Sequence, residues 1–134
     1  MRISGYASRF GERDAGGDVV RRGAFAASLL ERGSPLPMLS DHRRAVGEWQ
    51  RVVEDETGLR VEGEVRDPAL QRLIRAGKTR GLSIGFRTRR ARRDGTRREL
   101  LDIDLREVSV VAFPLLGSAR IDTLDDAMQH GETA

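Results

Sequence analysis

Three polar side chains, far apart in the sequence, have the types that nucleophilic catalysis uses: a hydroxyl, an imidazole and a carboxylate. The hydroxyl is Ser83, which lies between Gly81 and Gly85 in the stretch Gly81–Phe86. Apolar residues occupy every second position there, which predicts a strand with Ser83 on the face away from the core. The two glycines would let a substrate backbone approach the hydroxyl. A serine on the solvent face of an ordinary strand fits the same pattern.

The stretch also matches the pattern G-x-S-x-G, the nucleophile elbow of α/β-hydrolases. That elbow needs a strand, a sharp turn and then a helix, whereas the residues after Ser83 continue a strand pattern. The chain also lacks the regular alternation of strands and helices that such a fold requires. We therefore reject the elbow.

A serine hydroxyl is a weak nucleophile unless a base takes its proton, and the usual bases here are His42, His130 and Lys78. His42 follows a short apolar strand predicted over 36–39, a place where loops carry functional residues. His130 lies in a polar C-terminal stretch that favours a solvated side chain. Lys78 lies five residues before Ser83 at an exposed helix end, and a Ser-Lys pair stays an alternative.

An imidazole base is commonly oriented by a carboxylate, and Glu107 opens the most apolar strand pattern of the chain, over 107–113. Asp102 and Asp104 compete for that role. An acid at a strand start that pairs with Arg106 or water is the ordinary interpretation. The acids have no spacing typical of a cation site, and two histidines without cysteine make a metal site improbable, so we expect no metal and no cofactor.

The composition narrows the class of protein. The 134 residues are 38% hydrophobic, enough for one modest core, and include no cysteine, which excludes disulfides and thiolate catalysis. No apolar run reaches the roughly 18 residues of a membrane span, and the first residues have no apolar signal core, so a cytosolic protein is expected.

Short strand and helix signals alternate along the chain without repeats. Strands are predicted over 3–10, 36–39, 46–53, 59–65, 82–90, 97–105 and 107–113, and the third and fourth of them form a hairpin around 55–58. Helices are predicted over 25–32, with Phe25, Leu29 and Leu30 inward, and from Asp67 and Pro68 to Gly77, with Leu70, Leu73 and Ile74 inward. A third helix from Ser118 would carry Ile121, Leu124 and Met128. The sum is a mostly antiparallel α+β domain with two or three helices.

Arginine dominates the positive charge, because Lys78 is the only lysine in a chain of net charge +3. The most basic segment is the hairpin predicted around Asp94-Gly95, which motivates a second hypothesis, a small nucleic-acid-binding module. Its arginines are Arg87, Arg89, Arg90, Arg92, Arg93, Arg97 and Arg98. Scarce aromatic residues disfavour base stacking, so nucleic acid is not expected as a specific ligand. A solvated hairpin, or docking to an acidic scaffold, also explains the charge.

Five segments in order resemble the prohead (procapsid) maturation protease family of tailed phages. They are Gly5-Tyr6-Ala7 with Phe10; Gly17–Val20 with Gly23-Ala24-Phe25; Leu39–His42 with Val46–Trp49; Gly81–Phe86; and Glu107–Val111 with Phe113-Pro114. The resemblance spans about residues 3 to 121. It implies a fold related to herpesvirus assemblin proteases, in which a closed, mostly antiparallel β-barrel is surrounded by a few helices.

The resemblance also implies a function and a set of roles. Ser83 would be the nucleophile, His42 the general base and Glu107 the acid, although related viral proteases use a second histidine at the acid position; Arg120 would assist the oxyanion site. A serine protease domain over 1–121 would precede a C-terminal tail over 122–134, helical or partly disordered. The expected activity is a serine endopeptidase that cleaves the scaffold segment of the major capsid protein, and itself, inside the procapsid in the host cytoplasm. Self-association and a non-catalytic capsid or scaffold role stay open, and no membrane partner is expected.

Overall fold

The computed structural model describes residues 1–126, which form one sheet with two short helices. In chain order the elements are β1 (Arg2–Arg9), β2 (Asp18–Val20), α1 (Ala26–Glu31), β3 (Leu36–Ser40), β4 (Arg44–Glu54), β5 (Gly58–Val65), α2 (Pro68–Arg75), β6 (Gly81–Asp94), β7 (Arg97–Val111) and β8 (Ile121–Asp125). Neither described helix combines the length and apolar character needed to cross a membrane.

The sheet is curled, and its strand order is β2-β7-β3-β4-β5-β1-β8, with β6 pairing along β7. Strands β2 and β3 run parallel to β7, whereas the other pairs are antiparallel. A parallel pair needs a long connection rather than a tight turn, and the chain between β3 and β7 supplies one. The result is a mixed sheet with β7 between β6 and the parallel strands.

The expected closed antiparallel barrel is not what these residues form. Between β6 and β8 the only ladder contact in the described chain is an isolated bridge between Gly81 and Arg120. Beside it, the N–H of Leu82 donates to the Ala119 carbonyl and the N–H of Ile121 donates to the Arg80 carbonyl, both at 2.9 Å. Because β8 has five residues and β6 has fourteen, most of this seam stays open.

Local signals explain several elements. Asp67 caps α2 by accepting a 2.9 Å hydrogen bond from the Leu70 N–H, and Gly77 ends the helix with a φ of +74°. Asp55 closes the β4–β5 hairpin through bonds from the N–H groups of Thr57 (2.8 Å) and Gly58 (3.0 Å). These predictions are confirmed to within a residue or two.

Two inward-facing predictions are wrong. Phe25, Leu70 and Ile74 are buried, but Leu30 is 89% exposed and Leu73 is 43% exposed. At 100° per residue, Leu30 lies well off the face that Phe25 shares with Leu29, and each helix is too short to bury a wide stripe.

Two strand predictions are also corrected. The two strands expected over 97–105 and 107–113 are one continuous strand, β7. Ile121–Asp125, predicted as part of a helix, form β8, which pairs with β1. Edge pairing to β1 buries Ile121 and so overrides the helical spacing of the apolar residues. Met128 lies outside the described residues.

The core consists of aliphatic side chains and few aromatic ones. Its largest fully buried members include Trp49, Phe25, Met38, Leu59 and Leu82. The Trp49 indole N–H donates to the Val108 carbonyl at 3.0 Å, which ties β4 to the C-terminal part of β7. The buried Trp49 ring therefore fixes the segment of β7 around Val108.

Candidate active site

The turn after β3 positions His42. Asp41 and His42 both adopt left-handed backbone conformations, with φ of 51° and 61°. Residues with short polar or imidazole side chains enter this region more readily than most others. The N–H of Asp41 donates to the Val110 carbonyl at 3.3 Å, and the N–H of His42 donates to the Ser109 hydroxyl at 2.8 Å. The turn is thereby fastened to the end of β7.

The three residues predicted from sequence meet at this turn. Nε2 of His42 lies 3.1 Å from Oγ of Ser83, and Nδ1 of His42 is hydrogen-bonded to Oε1 of Glu107. The imidazole side chain is 43% exposed and the carboxylate side chain 12% exposed, while Ser83 is half-buried. A hydroxyl, an imidazole and a carboxylate in series can transfer a proton from oxygen to nitrogen and hold the resulting charge.

Strand register brings the carboxylate to the imidazole. In the β6–β7 pair, Ser83 lies opposite Ser109 and Gly85 lies opposite Glu107. Because side chains alternate along a strand, Ser83 and Gly85 share a face with Glu107 and Ser109. The serine and the carboxylate are therefore placed by one ladder, and the imidazole reaches them from the neighbouring strand.

The two glycines beside Ser83 have a different role from the one expected. They were expected to clear space for a substrate, but a Cβ on Gly81 would lie 2.6 Å from Cδ of Pro114, and a Cβ on Gly85 would lie 2.1 Å from Oε1 of Glu107. Both spaces are already filled by the protein itself. The lack of a side chain at Gly85 leaves room for the Glu107 carboxylate, and its lack at Gly81 leaves room for Pro114 in the turn after β7.

The alternative bases and acids lie elsewhere. Lys78 is exposed in the turn after α2. Asp104 pairs with Arg106 at 2.7 Å and with Arg89 at 3.6 Å. Asp102 lies opposite Arg90 in the β6–β7 ladder, farther along β7 from the imidazole. His130 falls outside the described residues.

Arg120 lies at the edge of the site region rather than in the hydrogen-bonded series. Its backbone is opposite Gly81, two residues before Ser83. Its side chain is exposed and forms no ion pair with any residue from 1 to 126.

Sequence reasoning missed Ser109, which is fully buried and bonded to two parts of the site. Its hydroxyl donates to Oε2 of Glu107 at 2.8 Å while it accepts from the His42 N–H. The available signal was its position: a lone polar residue two places after Glu107 in an apolar strand shares the face of that glutamate.

An open cleft borders the serine and the imidazole. Asp41, His42 and Ser83 line it together with the segment after β7. Within that segment, Phe113 is 93% exposed and Leu115 is 60% exposed. Large apolar side chains exposed next to a polar site are typical of ligand-binding surfaces. Among residues 1–126 there is no group of three or more histidine or acidic side chains able to hold a metal ion.

The arginine-rich β6–β7 hairpin is partly neutralised within the chain. Arg89 pairs with Glu31 at 3.0 Å, Arg98 pairs with Asp18 at 2.9 Å, and Arg92 pairs with the buried Glu99. The exposed arginines of the hairpin without a carboxylate partner in the described chain are Arg87, Arg90, Arg93 and Arg97. The pairing thus links the hairpin to α1 through Arg89 and to β2 through Arg98, while Arg92 with Glu99 joins its two strands.

Comparison with known proteins places this chain in a family. The family model described as Caudovirus prohead serine protease matches residues 1–134. The prohead protease of Enterobacteria phage HK97 is 34% identical over 125 residues, which cover 84% of this chain and 55% of that protein. The prohead protease of Escherichia phage T5 is 34% identical over 123 residues, which cover 85% and 58%. The chain spans somewhat more than half the length of these relatives.

Solved structures share the fold at low sequence identity. The capsid assembly protease of bacteriophage T4 superposes with a TM-score of 0.64 at 12% identity, covering 82% of this chain and 80% of that one. KSHV protease bound to a hexapeptide phosphonate inhibitor gives a TM-score of 0.56 at 15% identity, covering 84% and 60%. The fold is thus similar to that of herpesvirus proteases, and by the match along its whole length the chain belongs to the Caudovirus prohead serine protease family.

Proposed function

We propose that this domain is a serine endopeptidase that acts in the maturation of a phage procapsid. The observation that carries the proposal is the series of contacts from Ser83 Oγ to His42 Nε2, at 3.1 Å, and from His42 Nδ1 to Glu107. Its support from relatives is membership of the prohead serine protease family. The half-exposed imidazole beside an open cleft fits a site that must admit a polypeptide.

In the proposed mechanism, Oγ of Ser83 attacks the carbonyl carbon of the scissile peptide bond while Nε2 of His42 takes the hydroxyl proton. The resulting imidazolium is stabilised by Glu107 and then gives its Nε2 proton to the leaving amine as the C–N bond breaks. A water molecule attacks the acyl-enzyme with His42 again as base. The proton that His42 took from the water then passes to Oγ of Ser83 as the ester bond breaks, and the carboxylic acid product leaves.

The negative oxygen formed in each step needs hydrogen-bond donors, for which backbone N–H groups are the usual source. We extend the proposal to Arg120 as an additional donor. Its support is the bridge that sets its backbone opposite Gly81, near Ser83, and an exposed side chain without an ion pair in residues 1–126. Replacement of Arg120 by alanine should lower kcat and leave folding intact, as circular dichroism would verify.

The proposed substrates are the scaffold segment of the major capsid protein and the protease itself, inside the procapsid in the host cytoplasm. The relatives named prohead protease, and the T4 protein named capsid assembly protease, support this choice. Phe113 and Leu115 present apolar surface beside Ser83, where an extended segment of substrate would lie. Self-association belongs to the same proposal.

The test is the intact mass of the capsid protein encoded next to this chain after coexpression. Wild type and Ser34→Ala, which changes an exposed serine in the loop before β3, should both shorten the capsid protein at one position. Ser83→Ala should leave it uncut while folding normally. If folded wild type also leaves it uncut, the non-catalytic scaffold component becomes the better explanation.

A further inference from the structure

We propose that Ser109 is a positioning residue that sets both the Glu107 carboxylate and the backbone of His42 in the geometry needed for proton transfer. Ser109 is fully buried and takes no part in the proposed proton path. Its hydroxyl nevertheless contacts two of the three parts of the site that do. The inference rests on the proposed function for its kinetic consequence, but its structural consequence can be measured without any substrate.

The first contact fixes the carboxylate. Oε1 of Glu107 accepts from the imidazole, and Oε2 accepts from the Ser109 hydroxyl at 2.8 Å. The terminal torsion of a glutamate side chain is broad, so a carboxylate held at one oxygen turns easily. Bonds at both oxygens hold its plane, and with it the direction in which Oε1 meets Nδ1.

The second contact fixes the turn that carries the base. His42 and Asp41 are both held at positive φ, a conformation that persists only where surrounding contacts enforce it. The N–H of His42 donates to Oγ of Ser109 at 2.8 Å, so the hydroxyl satisfies a group that the turn would otherwise leave unpaired. Asp41 is held separately, through its own N–H and the Val110 carbonyl.

One small side chain thus acts as donor and acceptor at the same time. A serine hydroxyl has one O–H to donate and lone pairs to accept with, whereas alanine has neither and cysteine is weak in both roles. The position is also determined by register, because Ser109 lies opposite Ser83 on one side and beside Leu39 of β3 on the other. It is therefore the point where the strand of the nucleophile and the strand before the base meet.

The chain offers a matched control for the loss of such a bond. Ser28 is 4% exposed, and its hydroxyl accepts from the Leu105 N–H at 2.8 Å, away from the site. Ser28→Ala and Ser109→Ala each leave a backbone N–H without its serine acceptor. A general effect on folding should therefore be similar in the two variants, and only Ser109→Ala should disturb the imidazole.

The first readout is the proton NMR signal of the His42 Nδ1–H, in wild type, Ser109→Ala, Ser109→Cys and Ser28→Ala. We expect Ser28→Ala to keep the wild-type chemical shift and exchange rate. Ser109→Ala should shift the signal and exchange the proton with water at least about tenfold faster, and Ser109→Cys should fall between. An unchanged signal in Ser109→Ala would overturn the inference, whether or not the protein cleaves anything.

The second readout is the reaction of Ser83 with a fluorophosphonate probe, in which oxygen bonds to phosphorus and fluoride leaves. Ser109→Ala should lower the maximal labelling rate about 10- to 100-fold with little change in probe affinity, whereas Ser28→Ala should stay within about twofold of wild type. Equal losses in the two variants would contradict a positioning role.

If Ser109→Ala does not fold, the intermediate loss of labelling rate expected of Ser109→Cys decides whether Ser109 has a positioning role. Absence of labelling in folded wild type would count against the proposed function, while the NMR comparison would still test Ser109.

Discussion

Gly85 lies directly opposite Glu107 in the β6–β7 ladder, and the carboxylate occupies the space that a side chain at Gly85 would take. A Cβ built there would be 2.1 Å from Oε1, the oxygen that contacts the imidazole, and 2.7 Å from Cδ. The absence of a side chain at one residue is thus a condition for the position of the acid at another.

Gly85→Ala should therefore lower activity more than stability. The methyl group must displace the Glu107 carboxylate, so we expect the rate of capsid-protein cleavage to fall at least about tenfold, as small displacements of catalytic groups do. Gly33→Ala is the control, because nothing lies within 4 Å of its added Cβ and the residue is exposed. Wild-type rates in folded Gly85→Ala would mean that Glu107 has no part in the reaction.

Glu107→Gln should lower kcat by roughly 10³- to 10⁴-fold, because the amide can present N–H to Nδ1 and so favour the tautomer that carries a proton on Nε2. Asp104→Asn is the control, since Asp104 pairs with Arg106 and Arg89 rather than with His42. Cleavage rates for purified variants under saturating substrate test both changes. A large loss in Asp104→Asn with little in Glu107→Gln would reassign the acid.

The stability of the fold should fall in acid partly through Glu99. Hydrogen bonds from Arg21 and then Arg92 hold the pKa of this carboxyl below its usual range. The folded state therefore binds fewer protons than the unfolded chain near pH 4.5, so the stabilisation is present above that pH and is lost as the pH falls through the lower folded-state pKa. Urea unfolding of wild type and Glu99→Gln should give curves that differ at neutral pH and converge in acid. Glu56→Gln, an exposed glutamate without an ion pair in residues 1–126, should show no such convergence.

The unpaired arginines of the hairpin should not make the domain a DNA-binding protein. Filter binding to duplex DNA across a salt series should give no specific complex near physiological ionic strength, and any weak binding at low salt should be lost on replacing Arg90, Arg93 and Arg97 by serine. Tight binding with a steep salt dependence would instead support the nucleic-acid module.

Much of the site could be anticipated because its parts have local signals. Ser83 stands out in an alternating strand pattern, and His42 follows a short apolar strand. Their meeting could not be derived from spacing, since it depends on the parallel pairing of β3 with β7, which joins residues 38–40 to residues 108–110. The left-handed turn at Asp41 and His42 likewise has only a permissive signal, that these residue types tolerate positive φ.

Elements stabilised locally were predicted best. The capped start of α2 and the Asp55 hairpin turn depend on contacts within a few residues. The tail around Ile121 depends instead on pairing with β1, more than a hundred residues earlier, and its apolar spacing fits a helix as well as an edge strand. The prediction that Leu30 and Leu73 are buried was wrong for a related reason. Helix length and distance from the sheet decide which part of the apolar face is covered.

The central place of β7 also has a consequence for when the domain becomes able to react. Strand β7 carries Glu107 and Ser109, pairs with the strand of Ser83, and fastens the turn of His42. During synthesis β7 leaves the ribosome after both of those strands, so a nascent chain contains His42 and Ser83 before it contains the strand that brings them together. Under the proposed mechanism, a chain that lacks a folded β7 cannot react, and activity begins only once that strand pairs with β3 and β6.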